Sequence, residues 1–143
     1  MSVAIIEAIR DFIKTCPLID KNNRINVDYL GNEPIEYTID PVPTTKRIST
    51  NIDGSSERQQ LFNFASREYY SREVAQNIAN SKFYEDFSEW LDEQSEKDIL
   101  PNLGNGKTAT RIEAVTSGYL YSTTTGLNNA KYNIQCRLVY DQE

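Results

Sequence analysis

Carboxylates are the most plentiful chemistry-bearing groups in this chain, and Glu85, Asp86, Glu89, Asp92, Glu93, Glu96 and Asp98 crowd into one stretch. Two carboxylates held together act as an acid and base pair or hold a metal. Spaced one helical turn apart, as Glu85 with Glu89 or Glu89 with Glu93, they more simply share solvent on a charged helix face. Gly104-Asn105-Gly106-Lys107-Thr108 has the tail of a phosphate-binding loop, whose amides and Lys would cradle phosphates. The full pattern needs Gly five positions before Gly106, where Pro101 stands, and a helix after the loop, where an extended pattern follows. Cys16 and Cys136 fall on apolar faces with no CxxC spacing and no neighbouring base, so they read as buried free thiols. The chain contains no His, which removes the commonest general base and most catalytic zinc sites. No catalytic, cofactor-binding or metal-ligating residue is assigned, and an enzyme is not expected.

The elements that would position any site follow from periodicity. Ile5, Ile6, Ile9, Phe12, Ile13 and Cys16 keep the three-four spacing of one helical face, with Ser2 as the cap and Pro17 as the stop. Ile25 to Leu30 and Ile35 to Asp40 alternate as short strands. Pro41-Val42-Pro43 ends the second, placing it at an edge or before an exit arm. Arg47 to Ile52 offers a third strand, and Gly54 a turn. The long extended run from Glu57 to Tyr69 should put Phe62 and Phe64 in the core, and Ser71 should cap the helix beyond.

In that helical stretch Val74, Ala75, Ile78 and Ala79 sit more than a quarter-turn from Phe83, Phe87, Trp90 and Leu91. One straight helix would not bury both groups, so a break at Asn80-Ser81 is expected. Trp90, Phe87 and Leu91 read as core. Arg111 to Ser122 and Tyr132 to Tyr140 alternate as two long strands of an antiparallel hairpin with its tip at Thr123 to Asn129. The expected architecture is a single α+β domain over residues 1–143. In it an antiparallel or mixed sheet is packed by the N-terminal helix and a broken middle helix.

Composition narrows the function further. At 143 residues with 38% apolar and 25% charged side chains, the chain is the size of one domain with its own core. A net charge of −6, with no cluster of Lys and Arg, argues against specific nucleic-acid binding. No apolar run reaches the length of a signal segment or membrane span, so an intracellular, soluble protein is expected. Nine of the aromatic residues are Tyr, which suits both strands and wide amphipathic contact surfaces.

Several runs resemble a family of small tailed-bacteriophage proteins of Gram-positive hosts and their prophages, described as minor capsid or tail-terminator-like proteins. They are Ile25 to Gly31, Asp53 to Gln59, Phe64 to Tyr70, Phe83-Tyr84-Glu85 with Phe87 and Glu89-Trp90-Leu91, Ser117 to Leu120, and Tyr132 to Leu138. The resemblance spans most of the chain and implies a virion structural protein of the head-tail neck. Such a subunit would join copies of itself in a ring, a hexamer by that resemblance, that caps the tail tube. Its other partners would be tail-tube and head-connector proteins, met first in the host cytoplasm during assembly. The alternative is a host-cell small-ligand or regulatory binding module without catalysis. Contact residues for self or partner are sought at Arg58, Arg67, Tyr69 and Tyr70, at the arm prolines Pro41 and Pro43, and at Tyr119 and Tyr121.

Overall fold

The computed structural model describes residues 4–19, 24–31, 36–69, 74–104, 106–124 and 129–143. In chain order the elements are α1 (Ile5–Ile13), β1 (Ile25–Val27), β2 (Glu36–Val42), β3 (Arg47–Thr50), β4 (Ser56–Tyr69), α2 (Val74–Glu96), β5 (Lys107–Ala114), β6 (Tyr119–Thr124) and β7 (Asn129–Gln142). The strands form one mixed sheet in the order β1-β2-β4-β7-β5, with β3 beside β4 and β6 beside β7. Only β1 and β2 run parallel among the described pairs; the others are antiparallel. An α+β fold with a mixed sheet is what the alternating runs and two helical stretches specified.

Register sorts the side chains. Tyr37, Ile39, Phe62, Phe64, Ile134, Cys136, Leu138 and Ile112 share the face on which both helices lie, and each is buried. Their rings form a relay: Tyr37 stacks on Phe64 at 5.5 Å, Phe64 on Phe87 at 4.6 Å, and Trp90 reaches Phe12 at 5.2 Å. Thus α2 binds the sheet and α1 together. The opposite face, which carries Leu61, Asn63, Ala65, Gln135 and Arg137, has no described helix over it. Among the described residues, no helix is long and apolar enough to cross a membrane.

Several boundaries differ from the sequence reading. α2 is one unbroken helix of 23 residues, so the expected break at Asn80-Ser81 is absent. The conflict that called for a break does not arise, because Ala75, Ile78 and Ala79 stay exposed and only the later group enters the core. Asn80 instead faces inward and is buried. α1 begins at Ile5, with Ala4 at the cap position and no side-chain cap bond; Ser2 and Ser71 lie outside the described residues. The helix also stops at Ile13, before Pro17, where Thr15 and Cys16 donate to Phe12 and Ile13 at 3.0 Å in tighter turns.

β1 is only three residues long because Asp28, at φ 55, adopts a left-handed conformation that ends the strand. β2 is not an edge strand; it lies between β1 and β4 and continues through Pro41. Pro41 is tolerated there because β1 ends opposite Ile39, leaving no neighbour on that side to receive an N–H.

The run from Arg111 to Ser122 is two strands rather than one, since residues 115–118 leave the ladder and both Val115 and Thr116 donate backbone N–H to the Gln135 carbonyl. Ala114 faces Cys136 and Leu120 faces Tyr132, so the excursion spends two extra residues and preserves the inward phase. Gly118 sits against α2, where an added Cβ would overlap the Tyr84 side chain. The hairpin tip lies mostly outside the described residues.

Candidate functional site

The uncovered face of the sheet carries the densest gathering of exposed aromatic groups. Tyr69 ends β4 in phase with Arg67, and Tyr119 on β6 is opposite Asn133, both on that face. Tyr121 follows at a register shift, and its ring lies 4.9 Å from Lys131 Nζ. A neighbouring turn adds Tyr29, whose backbone N–H donates to Thr38 Oγ1 at 3.2 Å, while Thr38 donates to Asp40 Oδ1 at 2.8 Å. These tyrosines are 63% (Tyr29), 56% (Tyr69), 43% (Tyr119) and 60% (Tyr121) exposed. Beside Tyr29 lies a hollow of about 330 Å³ lined by Asp28, Tyr29, Leu30, Asp40, Arg67 and Lys131, and the other three tyrosines stand outside its lining.

Arg67, read from sequence as an outward contact residue, is buried, and its Nε donates to the Gly31 carbonyl at 3.1 Å. It ties the Asp28–Gly31 turn down onto β4 and so holds Tyr29 beside Lys131. From the opposite face, Asn80 Nδ2 donates to the Tyr69 carbonyl at 2.8 Å and Gln76 Nε2 to Asn80 Oδ1 at 2.9 Å, fixing the end of β4. Ser66 Oγ and Tyr84 OH share a short hydrogen bond, and the Tyr132 carbonyl accepts from Tyr84 at 3.2 Å. The patch thus rests on a strand end pinned from both sides.

Of the sequence-selected residues, Arg67, Tyr69, Tyr119 and Tyr121 come together at this end of the sheet. Pro41 and Pro43 are exposed elsewhere, along the exit from β2. Arg58 lies near the far end of β4, in phase with Phe62, and its Nε donates to Ser56 Oγ at 2.9 Å. Tyr70 lies outside the described residues. Tyr29, Lys131, Asp28 and Asp40 were missed. The sequence carries no signal for them, since Asp28 and Tyr29 sit inside the alternation from Ile25 to Leu30 and strand order is not written in a local pattern.

Beneath the patch, Glu68 points to the helix side and is buried; desolvation raises its pKa from 4.5 to about 7, partly offset by a hydrogen bond from Ser66. Burial likewise pushes the Tyr84 hydroxyl and the Cys16 and Cys136 thiols up, and both cysteines are free and buried. On the uncovered face Glu113 takes Arg137 Nη2 at 2.6 Å and Arg111 Nε at 2.7 Å, a solvent-facing network that orients side chains more than it stabilises. The Gly104–Thr108 segment enters β5 with no helix after it, which rules out the phosphate-loop geometry. Among the described residues, no group of three or more Cys, Asp or Glu is placed to hold a metal ion.

No protein-family model matches this chain, and no curated protein matches it significantly.

Proposed function

We propose that this chain is a structural subunit of the head-tail neck of a tailed phage or prophage. In that role it joins copies of itself in a ring and docks on tail-tube and head-connector proteins. The observation that carries the reading is the patch of four exposed tyrosines around Lys131, mounted on a strand end that buried polar groups hold rigid. Tyr buries a large ring at small entropic loss while keeping its hydroxyl hydrated, the combination found in the centres of protein contacts. A sheet face bare of described helices gives such a contact breadth. The whole-chain resemblance supplies the kind of partner.

The test is co-purification of the full chain with the tail-tube and connector proteins encoded beside its gene. Wild type is expected to co-elute with at least one of them, and Tyr119→Ser with Tyr121→Ser to lose that partner while keeping its melting temperature. A gene position away from head-completion and tail genes, with no binding to either class of protein, would overturn the reading.

A further inference from the structure

Two exposed apolar features lie outside the tyrosine patch, one at the far end of β4 and one on α2 near Asn80. The first is the β3–β4 turn. Its backbone is locked by Asn51 N–H to the Ser55 carbonyl at 2.8 Å, and by Gly54 N–H to the Asn51 carbonyl at 3.1 Å. Side chains add to this: Asn51 donates to Ser55 Oγ at 2.9 Å, and Ser55 donates to Asp53 Oδ1 through both N–H and Oγ. This rigid turn holds up Ile52, whose side chain is fully exposed, with exposed Ile48 behind it. A preordered turn presenting an apolar side chain loses little freedom when that side chain enters a pocket.

The second feature is the stripe that sequence periodicity marks for burial and the fold leaves outside, namely Ala75, Ile78 and Ala79. Ile78 is 61% exposed and lies in a groove of about 560 Å³ that it forms, among the described residues, with Asn77, Ser81, Lys82 and Glu85.

Charge selects the occupant. At the base of the turn Arg47 stands directly opposite Arg58, beside Lys46, a like-charge pairing that is unfavourable within one subunit. None of the three makes an ion pair among the described residues. On α2 the stripe that starts at Ile78 passes Lys82, which pairs with Asp86 at 3.2 Å, and continues as Glu85, Glu89, Asp92 and Glu96, all exposed and within about 40° of Ile78 around the helix. An apolar tip on a basic base therefore meets its complement in an apolar groove leading into an acid row. The two cannot meet within one chain: Ser66, which contacts Tyr84 on α2, is ten residues of strand from Ser56, roughly 33 Å.

We propose that Ile52 and its turn seat in the Ile78 groove of a second copy of this chain. Lys46, Arg47 and Arg58 then face acids of that copy's α2. One patch meeting a different patch repeats head to tail and closes into a ring where the rotation allows. This deepens, and rests on, the reading of the chain as a ring subunit.

The test uses the full chain in native mass spectrometry, with Ile52→Asp and Ile78→Asp as separate variants. Both side chains are exposed, so both variants should melt with wild type. Each is expected to weaken self-association roughly tenfold or more, the scale of burying one such side chain. Oxidising a mixture of Ile52→Cys chains with Ile78→Cys chains should give a cross-linked dimer, and neither alone should, since Cys16 and Cys136 are buried. A wild-type ring that survives both Asp variants overturns this contact and leaves the neck reading standing. A wild type that does not self-associate, with Cys variants that give no mixed disulfide, also overturns it, and binding to tail and connector proteins then judges the neck reading alone.

Discussion

Glu68→Gln isolates the one carboxylate that, among the described residues, is buried and protonates near neutrality. Glu68 is 7% exposed at the penultimate position of β4, on the helix side, with its pKa raised from 4.5 to about 7 by burial. Because the folded pKa exceeds the unfolded one, the native state keeps its proton between about pH 4.5 and 7 while the unfolded chain releases it. Its contribution to stability is therefore full below pH 4.5 and is lost as pH rises through 7. At about 1.4 kcal/mol per unit the full loss is roughly 3 kcal/mol, an upper figure because water that enters around the charged form reduces it.

Gln reproduces the neutral carboxyl and does not titrate. Urea unfolding of both proteins from pH 4 to pH 8.5 should give nearly equal stabilities at the acid end, with Glu68→Gln ahead by about 2–3 kcal/mol at the alkaline end. The difference between the two curves removes the titration of other carboxylates, including Asp53, whose pKa the Ser55 hydrogen bonds lower. A flat difference, or a variant less stable at pH 8.5, would refute the reasoning and mean that Glu68 is hydrated or paired as an anion.

Other expectations bear on packing and on the patch. Phe64→Ala, which removes the ring shared by Tyr37 and Phe87, should lower stability by about 3–5 kcal/mol in the same urea assay. Gly118→Ala should lower it by about 1–3 kcal/mol, because the new methyl group must push Tyr84 off the sheet. Asn80→Ala, which strips the Tyr69 carbonyl of its partner, should lower it by about 1–3 kcal/mol and speed amide exchange at the end of β4. Cys16 and Cys136 should react with a thiol reagent only as fast as the protein opens, and stoichiometrically in urea.

What the sequence made legible is what depends on local period. Alternation through Phe62 and Phe64 marks the core face of β4, and the spacing of Ile9, Phe12 and Ile13 marks the buried face of α1. Trp90, Phe87 and Leu91 are core as their spacing implies, and the mixed α+β class follows from the order of elements.

What failed depends on tertiary choice. Periodicity assumes that every apolar stripe is buried, so Ile78 suggested a broken helix when the fold simply leaves it outside. The β5–β6 excursion is invisible because it keeps Ala114 and Leu120 in phase. Arg67 looked like an outward cation, yet it bonds the Gly31 carbonyl across 36 positions of sequence, a contact no local pattern encodes. The tyrosine patch draws on β4, β6 and the turn after β1. Each Tyr was readable as strand-compatible, but their convergence required the sheet order.

The most direct test of the central claim is native mass spectrometry of the full-length chain at rising concentration, alone and mixed with tail-tube and head-connector proteins. A structural neck subunit should give one closed oligomer, a hexamer if the family resemblance holds, or a defined complex with one of those partners. A strict monomer at every concentration that binds neither would contradict it.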